Sequence, residues 1–472
     1  MLVALVVVFI IGYFCIAMEH SIKIDKSATA LLLGMLMWVL FILGADSIPY
    51  VVEQAAQHGY DVSHLTDYVN HVEIIGHLGD ISSTLFFLIG AMTIVELIDT
   101  HGGFTIITRR ITTRDKLRLV WILSFITFFM SSVLDNLTTA IVMVMLLRKL
   151  VNDQHERWLY ASMIIIAANA GGAWSPIGDI TTIMLWVNNN VSAGALICYV
   201  LLPSLVALLI PLLFISSKLR GRLPALATNG QNDKVGIISA KERSTLFYLG
   251  VGGLIFVPIF KTITHLPPFI GMLFVLGIIW IYTELMYNKK SLTSGEPQNR
   301  LSRILQRIDI PTILFFLGIL MAVAVLQASG ILGSMADWLD KKVHNIYIIN
   351  VLLGCISSII DNVPLVAAAM GMYEIVPFDQ VPDLLAAGEI YRLSFVQDGS
   401  FWLLLSYCAG VGGSMLIIGS AAGVVVMGLE RMSFGWYMKH ISWLALLGYF
   451  AGAAVLIAEV LLFPPIHTFH GF

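Results

Sequence analysis

Apolar residues fall in long blocks, at about 2 to 18, 27 to 44, 81 to 99, 159 to 187, 192 to 217, 244 to 262, 266 to 287, 310 to 330, 399 to 428 and 437 to 460. A helix rises 1.5 Å per residue and needs about 20 apolar residues to cross a hydrocarbon core about 30 Å thick, so the blocks predict about ten spans. Two further apolar stretches, 119 to 148 and 346 to 373, are interrupted in the middle by Asp135-Asn136 and Asp361-Asn362. Each arm has only about 12 to 16 residues, roughly 18 to 24 Å of helix, too short to cross. Re-entrant helical hairpins with Asp-Asn at the tip fit better. The expected fold is an all-α integral membrane protein with about ten transmembrane helices plus two re-entrant hairpins.

Composition agrees. The 472 residues are 58% hydrophobic and 12% charged, with a mean hydropathy of +0.87, against about 25% charged in soluble domains. Net charge is -3 without a Lys/Arg-rich tail, so no nucleic-acid partner is expected. Cys15, Cys198, Cys355 and Cys408 lie far apart in apolar runs, without zinc or redox spacing, and read as small buried hydrophobes. The apolar start from Leu2 to Ala17 has no Lys or Arg before it and reads as a retained first helix rather than a secretory signal.

Charge placement orients the chain. Between Gly44 and His101 there is no Lys or Arg, whereas Asp46, Glu53, Asp61, Asp67, Glu73 and Asp80 are present, which marks an outer segment. Arg109, Arg110, Arg114, Lys116 and Arg118 mark the next loop as cytoplasmic, and Arg148, Lys149 and Arg157 put the chain there again after the first hairpin. Lys218, Arg220, Arg222, Lys289, Lys290, Arg300, Arg303 and Arg307 fall inside; the acidic segment Glu374 to Asp398 falls outside. Both termini then face outward, in what is expected to be a bacterial inner (cell) membrane. Two full spans in place of either hairpin would keep the same parity. Segment 45–79 reads as loop with a short interfacial helix.

The chain repeats itself. Phe86-Phe87-Leu88 leads to Ser131-Ser132-Val133-Leu134-Asp135-Asn136 and on to Gly171-Gly172-Ala173-Trp174-Ser175-Pro176-Ile177-Gly178-Asp179. Phe315-Phe316-Leu317 leads to Ser357-Ser358-Ile359-Ile360-Asp361-Asn362 and on to Gly412-Gly413-Ser414-Met415-Leu416-Ile417-Ile418-Gly419-Ser420. Under the topology above the two copies are inverted. Boundaries follow at 1–80, 81–217 for the first repeat with hairpin 119–148, 218–309, 310–460 for the second with hairpin 346–373, and a tail at 461–472. Inverted repeats with broken helices point to a secondary transporter's site, because broken ends present dipoles and free backbone groups at the midplane.

An Asp at mid-membrane costs about 2.5 to 3.5 kcal/mol on insertion scales, so two at equivalent tips argue for function over packing. Carboxylate, amide carbonyl and hydroxyl oxygens suit a small hard cation. The first tip offers Asp135, Asn136, Thr138 and Thr139, and the second offers Ser357, Asp361 and Asn362. The broken span 159 to 187 adds Asn169, Asp179, Thr181 and Thr182; its partner 399 to 428 adds Ser414 and Ser420, with Ser420 standing where the first copy has Asp179. These thirteen residues are the expected cation and proton site, with Asp135, Asn136, Asp361 and Asn362 as the ligands nearest the metal ion, and Asp135 ahead of Asp361. A carboxylate that holds either a proton or a cation makes the two compete, which is the minimum chemistry of antiport. The blander readings are close helix packing for the glycines and bonds to their own helix for Ser and Thr. Glu96 is a candidate for a proton path, whereas Asp99 reads as solvated. The twelve histidines are scattered and form no H-E-x-x-H pattern.

At FFLIGAMTIVELIDTHGGF, SSVLDNLTTA, NAGGAWSPIGDITT and SSIIDNVPL the chain resembles the NhaD-type sodium/proton antiporters. These belong to the ion transporter superfamily, beside arsenite permeases and sodium-coupled dicarboxylate carriers. The resemblance implies a scaffold (1–80 and 218–309), a mobile transport domain with both hairpins, elevator-like motion and a homodimer in membrane lipid. It also implies exchange of Na⁺ or Li⁺ for H⁺, the cation being substrate, with no cofactor. Asp135 stands where the dicarboxylate carriers have a Ser-Asn-Thr tip, and a buried acid repels a dianion. The competing readings are a solute permease, for instance for arsenite, and an intramembrane aspartyl protease. The protease needs carboxylates facing each other on complete helices and does not fit inferred hairpin tips. The chain is therefore not expected to be an enzyme.

Overall fold

The computed structural model of the chain describes all residues except 105, 107–110, 112, 220, 224–238, 295–303, 360 and 466–472. Arg109, Arg110, Arg220, Arg300 and Arg303, part of the expected cytoplasmic charge, lie outside the described residues, as do Ile360 and most of the 461–472 tail. Among the described residues there is no β-strand, only two isolated bridges. Helices of eight residues or more are α1 (Leu2–Ala17), α2 (Lys26–Leu43), α3 (Pro49–Gln57), α4 (Ile75–Thr100), α5 (Lys116–Ser131), α6 (Asn136–Leu150), α7 (Gln154–Ala173), α8 (Ile180–Val187) and α9 (Leu201–Lys218). Then come α10 (Ala240–Thr264), α11 (Pro268–Ser294), α12 (Ile310–Ala328), α13 (Ile331–Lys342), α14 (Ile346–Ser357), α15 (Asn362–Met372), α16 (Ser400–Gly412), α17 (Ala421–Glu430) and α18 (Trp443–Leu462).

The chain is an all-α integral membrane protein. Among the described residues seven helical stretches have the length and apolarity of a span, and shorter apolar helices accompany them, including α1, α14, α15, α16 and α17. Large apolar side chains point outward from several spans: Leu32, Ile263 and Leu285 are 68%, 72% and 65% exposed, which suits lipid and not water. The cysteines follow the same logic, and one expectation is corrected here. Cys408 is buried, but Cys198 is exposed and Cys15 and Cys355 are intermediate, because an apolar run in a membrane chain packs against lipid as readily as against protein.

Side-chain caps explain where many helices begin. Asp25, Asp115, Asp153 and Asp309 accept backbone N–H bonds at the starts of α2, α5, α7 and α12. The span expected at 81 to 99 starts earlier, since the chain is helical from Leu65 to Thr100. The polar residues that interrupt its apolar pattern satisfy one another: Tyr68 donates to Glu73, and His77 Nε2 lies 3.4 Å from Glu73 Oε2.

The described residues divide into two compact units. Unit one comprises residues 1–88, 309–349 and 363–397. In it α2 crosses α12 with two glycines face to face: a Cβ on Gly34 would lie 2.4 Å from the Gly318 carbonyl oxygen. Its acidic segment 374–397 is tied down at Asp340, whose Oδ1 accepts from Tyr391 at 2.6 Å and Tyr373 at 3.1 Å. Unit two comprises residues 89–308, 350–362 and 398–472. Its centre is α7 and α16, with every residue of Tyr160–Ala173 and of Phe401–Gly412 buried. A helix apolar all round must be enclosed by other helices. Around this pair, α7 and α5 approach to backbone distance, a Cβ on Gly171 lying 2.1 Å from the Phe128 carbonyl oxygen.

Candidate functional site

All thirteen residues expected at the site lie in unit two. The site forms where α7 and α16 stop in mid-run. α7 ends at Ala173 and α8 restarts at Ile180 with Asp179 as its N-cap; α16 ends at Gly412 and α17 restarts at Ala421 with Ser420 as its N-cap. The two caps have nearly the same backbone, φ -143° and ψ 149° at Asp179, φ -140° and ψ 149° at Ser420. Supporting contacts recur as well. Ser131 Oγ donates to the Ala168 carbonyl at 2.6 Å, and Ser357 Oγ donates to the Ala409 carbonyl at 2.9 Å.

The broken ends free backbone oxygens, and buried hydroxyls take them up. Ser406 Oγ donates to the Ala173 carbonyl at 2.9 Å, Tyr437 donates to the Ser414 carbonyl at 2.8 Å, and Ser175 Oγ donates to the Ser132 carbonyl at 2.5 Å. Non-helical backbone at membrane depth requires such partners. Sequence reasoning missed Ser406 and Tyr437, because a lone hydroxyl in an apolar run looks like any other packed side chain.

Asp179 and Asn169 form the hub. Asp179 is 2% exposed, and its carboxylate accepts from Asn136 Nδ2 at 2.9 Å and Asn362 Nδ2 at 3.3 Å, one amide from each Asp-Asn motif. It also accepts from the Thr181 N–H at 3.1 Å, the N-cap bond of α8. Asn169, fully buried, accepts from Asn136 Nδ2 at 3.2 Å and donates to Ser414 Oγ and Ser420 Oγ, both at 2.9 Å. The network thus links residues of both sequence repeats. Asp135 and Asp361 lie within electrostatic reach of Asp179.

Asp135 is differently placed from Asp179. Both of its oxygens serve its own helix, accepting from the Thr138 N–H and the Thr138 Oγ, each at 2.8 Å. Its φ of 95° is a conformation that L residues avoid, and such outliers persist where surrounding structure enforces them, often at functional sites. Thr182 closes the capping box of α8, its Oγ1 accepting from the Asp179 N–H at 3.3 Å, and the same hydroxyl donates to the Asp179 carbonyl at 2.8 Å. Thr139 is fully buried, and its hydroxyl has no hydrogen-bond partner among the described residues. A buried polar atom in that state is an available ligand oxygen. Among the described residues no three His, Cys, Asp or Glu side chains converge on one point as metal ligands. A cation here would therefore meet amide and hydroxyl oxygens beside a carboxylate.

Glu96, the candidate for a proton path, is placed elsewhere. It accepts from Thr100 Oγ at 3.0 Å and faces Arg307 across 3.6 Å, with its side chain 27% exposed. Asp99 is exposed.

Two broken apolar helices that meet at a buried carboxylate and amide network, in an all-α membrane chain, define a secondary transporter. The chain belongs to the citrate transporter family, whose profile matches residues 13–390, and within it to the NhaD-type antiporters. It is 41% identical over 460 residues to "Sodium/proton antiporter 1" of Arabidopsis thaliana, covering 97% of this chain and 72% of that one. It is 42% identical over 458 residues to "Sodium/proton antiporter 2" of the same plant, covering 95% and 98%. "Na(+)/H(+) antiporter NhaD" of Alkalimonas amylolytica is 30% identical over 477 residues, covering 95% and 89%.

Proposed function

We propose that this chain exchanges Na⁺ or Li⁺ for H⁺ across the membrane by alternating access, at the network centred on Asp179 and Asn169. The observation that carries this reading is a buried carboxylate held by amides from both Asp-Asn motifs, with two further acids in electrostatic reach. A carboxylate enclosed away from water does not stay ionised without a counter-charge, so a departing proton favours an arriving cation. Asn136, Thr139, Asn169, Ser414 and Ser420 supply neutral oxygens around that cation. Asp135 and Asp361 complete the acidic set, and Asp135 is strained into place by its positive φ.

The family description favours citrate as a second reading. The acids argue against it, since a citrate trianion would enter a site already negative. Proteoliposomes carrying an internal pH dye decide between the two. A Na⁺ or Li⁺ pulse should change internal pH, the change should shrink at least about tenfold in Asp135→Asn, and citrate and arsenite should give none. Citrate-driven flux with no Na⁺ response would overturn the antiport reading. Competition also fixes a sign: between pH 7 and pH 8 tenfold fewer protons compete, so the apparent KM for Na⁺ should fall. A KM independent of pH would speak against a shared carboxylate.

The finer features of the reading are re-entrant hairpins at both Asp-Asn motifs, outward-facing termini, a homodimer and elevator-like motion. The network lies wholly in one compact unit, which also holds the expected scaffold segment 218–308 and only part of the second hairpin.

A further inference from the structure

Unit two holds a second buried charge, away from the polar network. Glu430 is the last residue of α17, and its side chain is fully enclosed. Arg148 Nε meets its Oε1 at 2.8 Å and Arg157 Nε meets its Oε2 at 2.9 Å. The backbone at the same helix end is held too. Gln154 Nε2 and Trp158 Nε1 each donate to the Glu430 carbonyl at 3.0 Å, and Arg148 also reaches the Leu429 carbonyl. Arg157 in turn donates to the Val151 and Asn152 carbonyls at 3.1 and 2.8 Å. The end of α6, the link after it and the start of α7 therefore all bear on the C-terminus of α17.

A helix end leaves carbonyls without intrahelical partners, and a buried carboxylate is tolerated only when paired. Here both needs are met by residues of the first sequence repeat, which fixes where α17 stops. The other end of that helix is Ser420, whose Oγ accepts from Asn169. Ten helical residues span about 15 Å. Glu430 and Ser420 are thus the two ends of one short strut.

We propose that Glu430 is a positioning residue for the cation site. Gripped by Arg148 and Arg157, it sets the axial position of α17 and so holds Ser420 Oγ in register with Asn169. It touches no ion itself. The effect on transport rests on the antiport reading above; the mechanical link does not.

The test uses the full chain, with two readouts. In proteoliposomes, Glu430→Gln should raise the apparent KM for Na⁺ about tenfold while the maximal rate stays within about twofold. Glu430→Asp should recover most of the loss. Trp158→Phe removes one carbonyl donor and leaves the charges, so it should raise KM about two- to threefold; it carries the test should Glu430→Gln fail to fold. Hydrogen exchange supplies the second readout. The amides at 421–424, at the far end of the strut, should exchange faster in Glu430→Gln than in the parent. Unchanged exchange there, or a fall in maximal rate with KM untouched, would overturn the proposal. If the parent exchanges no Na⁺ for H⁺ while 421–424 still loosens in the variant, the antiport reading fails and the mechanical link is supported.

Discussion

Replacing Asp179 by Asn is expected to cut Na⁺-dependent proton exchange by about a hundredfold, the factor corresponding to about 2.7 kcal/mol. Two effects combine. The substitution removes the negative charge that offsets the cation, and it puts an NH₂ group where Asn136 and Asn362 already direct donors. One acceptor oxygen remains, and α8 keeps an Asx-type cap, so the protein should still fold. Purified variant and parent, matched by size-exclusion profile and thermal midpoint and then compared in the same liposomes, give the measurement. Exchange within a few-fold of the parent would remove Asp179 from the centre of the mechanism and return that place to Asp135 or Asp361.

Gly171→Val is expected to prevent folding altogether. A Cβ at that position lies 2.1 Å from the Phe128 carbonyl oxygen and 2.8 Å from its Cα, so the obstacle is backbone and not a side chain that can turn aside. Accommodating it means prising α5 from α7 along their whole contact, several kcal/mol of overpacking at the centre of unit two. Gly252→Ala is the matched control, because a Cβ there meets nothing within 4 Å. The first variant should give aggregated or absent protein in detergent and the second a normal profile. A well-folded Gly171→Val would mean that α5 and α7 are less closely apposed than described.

The membrane class, the broken spans and the polar character of Asn136, Asn169, Asp179, Asn362, Ser414 and Ser420 were legible in the sequence for one reason: polar residues are rare in apolar runs, so each demands an explanation. Asp179 and Asn169 stand out in this way. Their rank did not, because it depends on which amides point at which carboxylate. Asp135 and Asp179 each sit three residues before a Thr, a spacing that signals a helix cap, yet one carboxylate is spent on its own helix and the other gathers amides from two motifs. Glu430 was invisible for the opposite reason. It falls at the end of an apolar block beside Arg431, where an acid ordinarily reads as solvated, and only the fold brings Arg148 and Arg157 to it. The early start of the helix before α4 was hidden by Glu73 and His77, which look like loop residues until their mutual pairing is seen.

The enclosure of the Asp179 carboxylate in the amide network has a consequence for leak. Were the network to face first one side of the membrane and then the other with nothing bound, it would carry bare negative charge through a medium of low dielectric, at a cost of several kcal/mol per ion. Membrane voltage adds about 2.3 kcal/mol per elementary charge per 100 mV. An empty carrier is therefore the species least able to complete the passage, whereas one neutralised by Na⁺ or by H⁺ crosses readily. Obligatory coupling would then need no separate gate: the same acid that attracts the ion keeps the unloaded protein from slipping.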